Sequence, residues 1–239
     1  YSACANDGYQ IYKMSVEGDE YIKLTESLSG FVEHYLCPVW SSDGQRIYYV
    51  ENGLIILGVV FSIKPDGTDR QQLTDFSVYR SVSVSKDQSF NVFAGMTSMT
   101  ENTQGIAQYF FQDGTIKEIV ACDNTLRAYS PDISPDGNKI AYVLRHGPDE
   151  MGDPPYYYRI MIINIDGSGE ALVRELPFKR YVIDTYVIWS PDGTKLAYNF
   201  GGESEDKSES HIYVVNFDGT DPIRVTDIPD YDGAPSWIE

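Results

Sequence analysis

Two stretches of this chain are near copies: "PDISPDGNKIAYVL", residues 131–144, and "VIWSPDGTKLAYNF", residues 187–200. Repetition limits the available folds more than composition does, because a short recurring unit buries its apolar faces by stacking on its own kind. Aligned on the tryptophan of "IWSPDG", the pattern occurs at Trp40, Val84, Ile133, Trp189 and Trp237, at intervals of 44, 49, 56 and 48 residues. A second motif alternates with it: an apolar stretch, an acidic residue or aspartate with glycine, and a short second stretch. Its glycines are Gly18, Gly67, Gly114, Gly167 and Gly219, spaced 49, 47, 53 and 52 residues apart.

Both motifs have a local physical reading. In Ser-Pro-Asp-Gly the proline presets φ, the aspartate bonds its own backbone and the glycine takes a left-handed conformation, which makes a hairpin turn. The flanking "KIAYV", "KLAYN" and "HIYVVN" are short and rich in β-formers, and the later Asp-Gly steps turn the chain again. One repeat is therefore four strands, A to D, in a meander. Helical periodicity is missing, and 12 prolines with 20 glycines oppose long helices. A four-stranded unit of ~45–50 residues covers its two faces by joining a ring of blades, a β-propeller. The expectation is an all-β fold and one domain over 1–239, with repeats near 38–76, 82–121, 131–174 and 187–227. A fifth blade closes the ring by pairing strand A from 234–239 with strands from 1–25, which removes an open edge. A sixth blade would need residues beyond this sequence.

The combination "P-x-W-S-P-D-G-x-K-x-A-Y", "I-Y-V-V-N-x-D-G-T", "R-V-T" and "Y-D-G-A-P-S-W" resembles the WD40-like propeller repeat of the TolB-like family, over essentially the whole chain. The second repeat, "SVSVSKDQ", departs from it in lacking Pro, Gly and Trp. The resemblance implies a propeller and leaves activity open, since that repeat serves binding proteins, protease propeller domains and oligogalacturonate lyases. Features of those relatives are missing here. No α/β segment precedes the repeats, so a stand-alone propeller is expected. No G-x-S-x-G elbow is present, and His34, His146 and His211 lack ligand-like spacing.

Composition narrows the partners. The chain has 18 Lys and Arg against 36 Asp and Glu, a net charge of −18, which repels nucleic acid. The longest apolar run, Leu54 to Ile63, contains a glycine and is too short to span a bilayer. "YSAC" resembles a lipoprotein cleavage site, which would make Cys4 a lipid anchor; the three cysteines, Cys4, Cys37 and Cys122, otherwise allow one disulfide or none. No cofactor and no metal are expected. The aspartates Asp66, Asp113, Asp166 and Asp218 read as turn residues, because the oxygen series of a calcium loop is missing. Trp40, Trp189 and Trp237 read as packing between blades, and Asp132 as a carboxylate bonded to neighbouring backbone.

Function is to be sought in what the repeats do not share. The A–B and C–D turns are short, whereas the B–C and D–A loops vary and lie on one face. Residues 144–159, with Tyr156, Tyr157 and Tyr158, and 200–211, with Glu203, Glu205, Asp206 and Glu209, are the long acidic B–C loops, although tyrosines also suit the start of strand C. The D–A loops bring His34, Tyr35, Arg80, Arg127, Tyr129, Arg180, Tyr181, Asp184, Tyr186, Tyr231 and Asp232 to the mouth. The leading expectation is a non-catalytic binding propeller of the bacterial periplasm, cell surface or exterior. It engages a protein or a glycan, with a basic protein partner favoured by the acidity. Two other readings stay open: a carbohydrate-active enzyme using Asp184 and Asp232 at the mouth, and a structural module of a surface assembly.

Overall fold

The computed structural model describes residues 2–5, 8–26, 33–52, 58–74, 78–98, 103–123, 125–147, 157–176, 185–201, 210–227 and 234–237. All strands and turns there belong to an all-β architecture of propeller blades. The chain divides into two compact units, Tyr1–Met96 with Gln108–Lys117, and Thr97–Ala107 with Glu118–Glu239.

The first unit opens with a three-stranded sheet, β1 (Ser2–Ala5), β2 (Gly8–Met14) and β3 (Tyr21–Lys23). The first blade follows as β4 (His34–Trp40), β5 (Ile47–Asn52), β6 (Gly58–Ile63) and β7 (Gln71–Gln72). The second blade is β8 (Val78–Val84), β9 (Phe90–Ser98), β10 (Thr103–Phe110) and β11 (Ile116–Cys122), and the division between units runs through it. The Cα pair Gly58↔Val78 joins these two meanders into one eight-stranded sheet. In the second unit the third blade is β12 (Leu126–Ile133), β13 (Lys139–His146), β14 (Tyr157–Asn164) and β15 (Ala171–Leu176). The fourth is β16 (Val187–Trp189), β17 (Lys195–Phe200), β18 (His211–Asn216) and β19 (Ile223–Arg224).

Four four-stranded blades are thus described where the repeats lead one to expect five. The shortfall falls at the expected closing blade, where β1, β2 and β3 form a sheet that gains no A strand among the described residues. Pro235, Ser236 and Trp237 carry no strand, and residues 228–233, 238 and 239 lie outside the described residues. Proline withholds a donor at the first of those three positions, and so short a run makes few ladder bonds.

The repeated turn is a box of side-chain bonds. Ser134 and Ser190 donate their hydroxyls to Asp136 and Asp192, each at 2.6 Å, and accept the N–H of Lys139 and Lys195, each at 2.9 Å. The aspartates in turn accept the N–H two residues on, from Asn138 and Thr194. The first blade repeats the box with Ser41 and Asp43, and the divergent second blade keeps it with Ser85 and Asp87. There Gln88 takes the left-handed position, φ +57°, that Gly44, Gly137 and Gly193 take elsewhere. The C–D turns bond the same way, with Asp66, Asp113, Asp166 and Asp218 each accepting the N–H two residues on, as turn chemistry requires.

The threonine that ends the second motif is a latch. Thr25, Thr74 and Thr226 accept the N–H of Ile11, Val60 and Ile212 at 3.0, 2.9 and 2.9 Å, while the residue before each donates to that same partner's carbonyl. The hydroxyl replaces a ladder bond just where the short strands β3, β7 and β19 stop. In the third blade Arg174 holds the equivalent place, paired with Ile160, and β15 runs on to Leu176.

Packing separates the tryptophans. Trp189 is 6% exposed, buried with Ile160, Ile162 and Val173 of the third blade and Leu196, Tyr198 and Val215 of its own. Its backbone N–H donates to Asp132 Oδ2 at 2.8 Å, as expected for a carboxylate bonded to neighbouring backbone. Trp237 is half-buried. Trp40 departs from the expectation that all three are packed: it is 50% exposed. Repeat alignment supplies the reason. Lys13 stands four residues before the acidic turn residue, where the third blade has Ile162, and Pro65 stands where Phe217 meets the Trp189 ring at 6.2 Å.

Candidate functional site

The end of strand B and the starts of strands A and C meet at one end of the third blade. Arg127 of β12 and Arg145 of β13 are direct Cα partners, and Arg145 is partnered on its other side by Tyr158 of β14. Two residues along, Tyr129 pairs Val143, which pairs Ile160. Side chains of directly paired residues share a face, so two guanidinium groups and two phenols line one side of the sheet end. Tyr129 and Tyr158 rest on the core cluster of the second unit, and both arginines are half-buried. Like charges in direct register repel. A planar carboxylate lying between two such forks turns that repulsion into charge-assisted hydrogen bonding. At the very end His146 pairs Tyr157, which is 37% exposed.

Arg145 and His146 fall within the loop 144–159 of the sequence reading, which made neither a binding residue, and the structure places both at the end of strand B, β13. The available signal was symmetry: Arg127 and Arg145 each lie nine residues from Asp136 at the centre of the hairpin turn. Tyr157 and Tyr158 sit in β14, so they open strand C and still belong to this end of the blade. In the fourth blade Tyr186 is half-buried, its N–H donating to Asn199 Oδ1 at 2.6 Å.

The equivalent row of the first blade is His34, Asn52 and Gly58. A Cβ at Gly58 would fall 1.9 Å from Asn52 Oδ1, so only glycine lets β6 approach. His34 Nδ1 accepts the Tyr9 N–H at 3.3 Å, with the rings 5.6 Å apart. Tyr35 is 1% exposed; its hydroxyl lies 2.6 Å from Glu33 Oε2 and 3.0 Å from the Glu26 carbonyl. Burial, and then the Glu33 hydrogen bond, push that phenol far above its ordinary range. Nearby Glu51 pairs with Arg70, which lies 4.0 Å over the Phe61 ring and donates to the Tyr49 hydroxyl at 3.0 Å. Tyr35, Tyr49 and Phe61 share one core cluster with Ile11 of β2. Arg80 lies on β8.

Tyr156, Arg180, Tyr181, Asp184, Glu203, Glu205, Asp206, Glu209, Tyr231 and Asp232 lie outside the described residues, and with them the carboxylate pair of the enzymatic reading. Among the described residues no group of three or more His, Cys, Asp and Glu is placed to hold a metal. Cys37 and Cys122 are unbridged, and burial pushes the Cys122 thiol up to about 11, which keeps it protonated and unreactive at neutral pH. No helix among the described residues is long and apolar enough to cross a membrane.

Solved structures similar to this chain include TolB from Acinetobacter baumannii, at 17% identity and a TM-score of 0.73, covering 97% of this chain and 52% of that one. The fold is that of a TolB-like β-propeller. An oligogalacturonate lyase from Vibrio parahaemolyticus matches at 18% identity and a TM-score of 0.58, over 95% of this chain and 61% of the lyase. A structure of a nidogen/laminin complex matches at 7% identity and a TM-score of 0.65, over 93% of this chain and 76% of that one. This TolB-like propeller therefore spans about half the length of the TolB structure. No family model matches the sequence. Identities this low carry the fold and leave the ligand to the site itself.

Proposed function

We propose that this chain is a non-catalytic binding propeller of the bacterial envelope or exterior. It engages a protein partner through the blade ends that carry its variable loops. The observation behind this reading is the row Arg127, Arg145 and Tyr158, with Tyr129 beside it. Two opposed guanidinium groups in a chain of net charge −18 single out an acidic group on the partner. Tyrosines add contact area and hydroxyl tips at low entropic cost. The acidic loop at 200–211 favours basic surface around that acidic group, so a partner of mixed charge satisfies both.

Charge-assisted hydrogen bonds contribute ~1.5–3 kcal/mol each, so replacing both arginines by glutamine weakens binding of a labelled glutamate-rich peptide by about tenfold or more. Anisotropy titrations of wild-type and variant protein decide it; superimposable curves for the two would sink the reading.

The same proposal takes 1–239 as one five-bladed domain, with 234–239 completing the sheet of β1, β2 and β3. Deleting 234–239 then lowers the melting temperature by several degrees. An unchanged transition removes the closure.

A further inference from the structure

The second blade departs from the repeat at both of its turns, and the two departures line one groove. Its volume is about 360 Å³, at the small end of ligand pockets, and its lining is Gln88, Ser89, Phe110, Phe111, Gln112 and Asp113. At the A–B turn Gln88 holds the left-handed place that Gly44, Gly137 and Gly193 hold elsewhere, which strains a residue bearing a side chain. At the C–D turn the Phe110 N–H donates to the Thr115 carbonyl, five residues on, where Lys64, Asn164 and Asn216 donate to the carbonyl four residues on. The turn is one residue longer. Phe110 also takes the place of Asn164 and Asn216, whose side-chain amides donate to the hydroxyls of Ser168 and Thr220 and brace the turn. The brace is exchanged for a ring.

Neighbouring rings hold the two phenylalanines. Phe110 meets Phe90 at 5.9 Å, while Phe111 stacks on Tyr48 at 5.6 Å and meets Tyr109 edge-on at 5.9 Å. Asp113 accepts the Thr115 N–H through Oδ1 at 2.9 Å, and hydrogen bonds from the Thr115 hydroxyl and then its N–H keep the carboxyl below its ordinary range. It is charged at neutral pH, and none of the six lining residues is cationic. Aromatic rings beside a carboxylate, in a chain of net charge −18, match a planar cation on an apolar stem. The chain closes one such set within itself, where Arg70 lies 4.0 Å over the Phe61 ring and pairs with Glu51. We propose that the groove between the turns of the second blade takes an arginine side chain of a protein partner, its guanidinium on the Phe110 and Phe111 rings and forked to the Asp113 carboxylate. The site does not rest on the arginine row of the third blade.

Saturation-transfer NMR on a capped Gly-Gly-Arg-Gly-Gly peptide tests this, at ~150 mM salt so that the general field of the chain is screened beyond ~8 Å. Transfer to the arginine side-chain protons is expected, with about tenfold less to peptides carrying citrulline or lysine in its place. Asp113→Asn keeps an acceptor for the Thr115 N–H yet lowers transfer about tenfold, and so does Phe110→Asn, which restores the residue of the third and fourth blades. Asp66→Asn removes the same charge from the corresponding turn of the first blade and leaves transfer unchanged, as does replacing Arg127 and Arg145 by glutamine. No transfer in wild type overturns the proposal, and so does equal transfer to the lysine or citrulline peptide. Transfer that survives Asp113→Asn, or a loss as large in Asp66→Asn, overturns it as well, because net charge alone is then the attraction.

Discussion

The first and fourth blades carry a tryptophan at the same point of the repeat, and only one of them is covered. Trp189 is enclosed because the preceding blade supplies Ile160 and Ile162 from strand C and a carboxylate, Asp132, from strand A. The sheet preceding Trp40 supplies Ile11 but then Lys13, and no A strand is described in it. What happens to a repeat residue is therefore decided by the neighbouring repeat. A motif that fixes the turn says nothing about whether its tryptophan is core or surface.

The largest way to break this contrast is to truncate both rings. Trp189→Ala should cost ~3–5 kcal/mol, as loss of a buried aromatic does, while Trp40→Ala should cost ~1 kcal/mol or less, near the centre of ordinary substitutions. Equal losses in urea denaturation would mean that the exposure of Trp40 is of no energetic consequence. Next in size is Asp132→Ala, which strands the backbone N–H of Trp189 and should cost ~1–3 kcal/mol, with Asp132→Asn recovering much of it. A wild-type midpoint for the alanine variant would show that the inter-blade bond is dispensable.

Acid provides a graded test of the turns. The Ser190 hydroxyl, then the Thr194 N–H and hydroxyl, hold the Asp192 carboxyl down at about 2, and the Gln88 side chain, then the Gln45 N–H and Ser41, do the same for Asp43. A carboxyl depressed in the folded state stabilises it above the ordinary carboxylate range, and that contribution is lost as pH falls through the folded value. Melting temperature should therefore fall as pH drops toward about 2, and the fall should be shallower in Asp192→Asn. Parallel curves for the two proteins would assign acid sensitivity to other groups. Smallest is Lys13→Ile, expected to stabilise by ~0.5–1 kcal/mol through apolar burial and to shift Trp40 emission to the blue. A red-shifted or destabilised variant would show that the surface around Trp40 cannot close as the third-blade interface does.

The strands and turns were legible because their causes are local: Ser-x-Asp-Gly builds its own box, and β-formers flank it. The latching role of Thr25, Thr74 and Thr226 was legible only as a recurring letter, since its partners Ile11, Val60 and Ile212 lie 14 residues away. The exposure of Trp40 depends on which segments become neighbours, which no local pattern states. The candidate site shows the same boundary. Arg127, Tyr129 and Tyr158 were within reach as loop-adjacent polar residues, but Arg145 gains its meaning from register with Arg127 alone. Tyr35 read as a mouth residue from its place before the first tryptophan, yet its ring turns into the core of the first unit and its hydroxyl is held by Glu33.

The turn box also bears on how such a chain can change over time. In the third blade the side-chain bonds that close the turn run between residues at most five apart, so the hairpin carries its own support within one copy. The second blade has tested this: without proline or glycine, Ser85 and Asp87 still hold the turn, and Gln88 accepts the left-handed bend. Each copy can therefore drift until little of the shared wording is left while the hairpin keeps its shape. The residues freed by that drift, Phe110 and Arg145 among them, are where copies of one ancestral unit can acquire separate tasks.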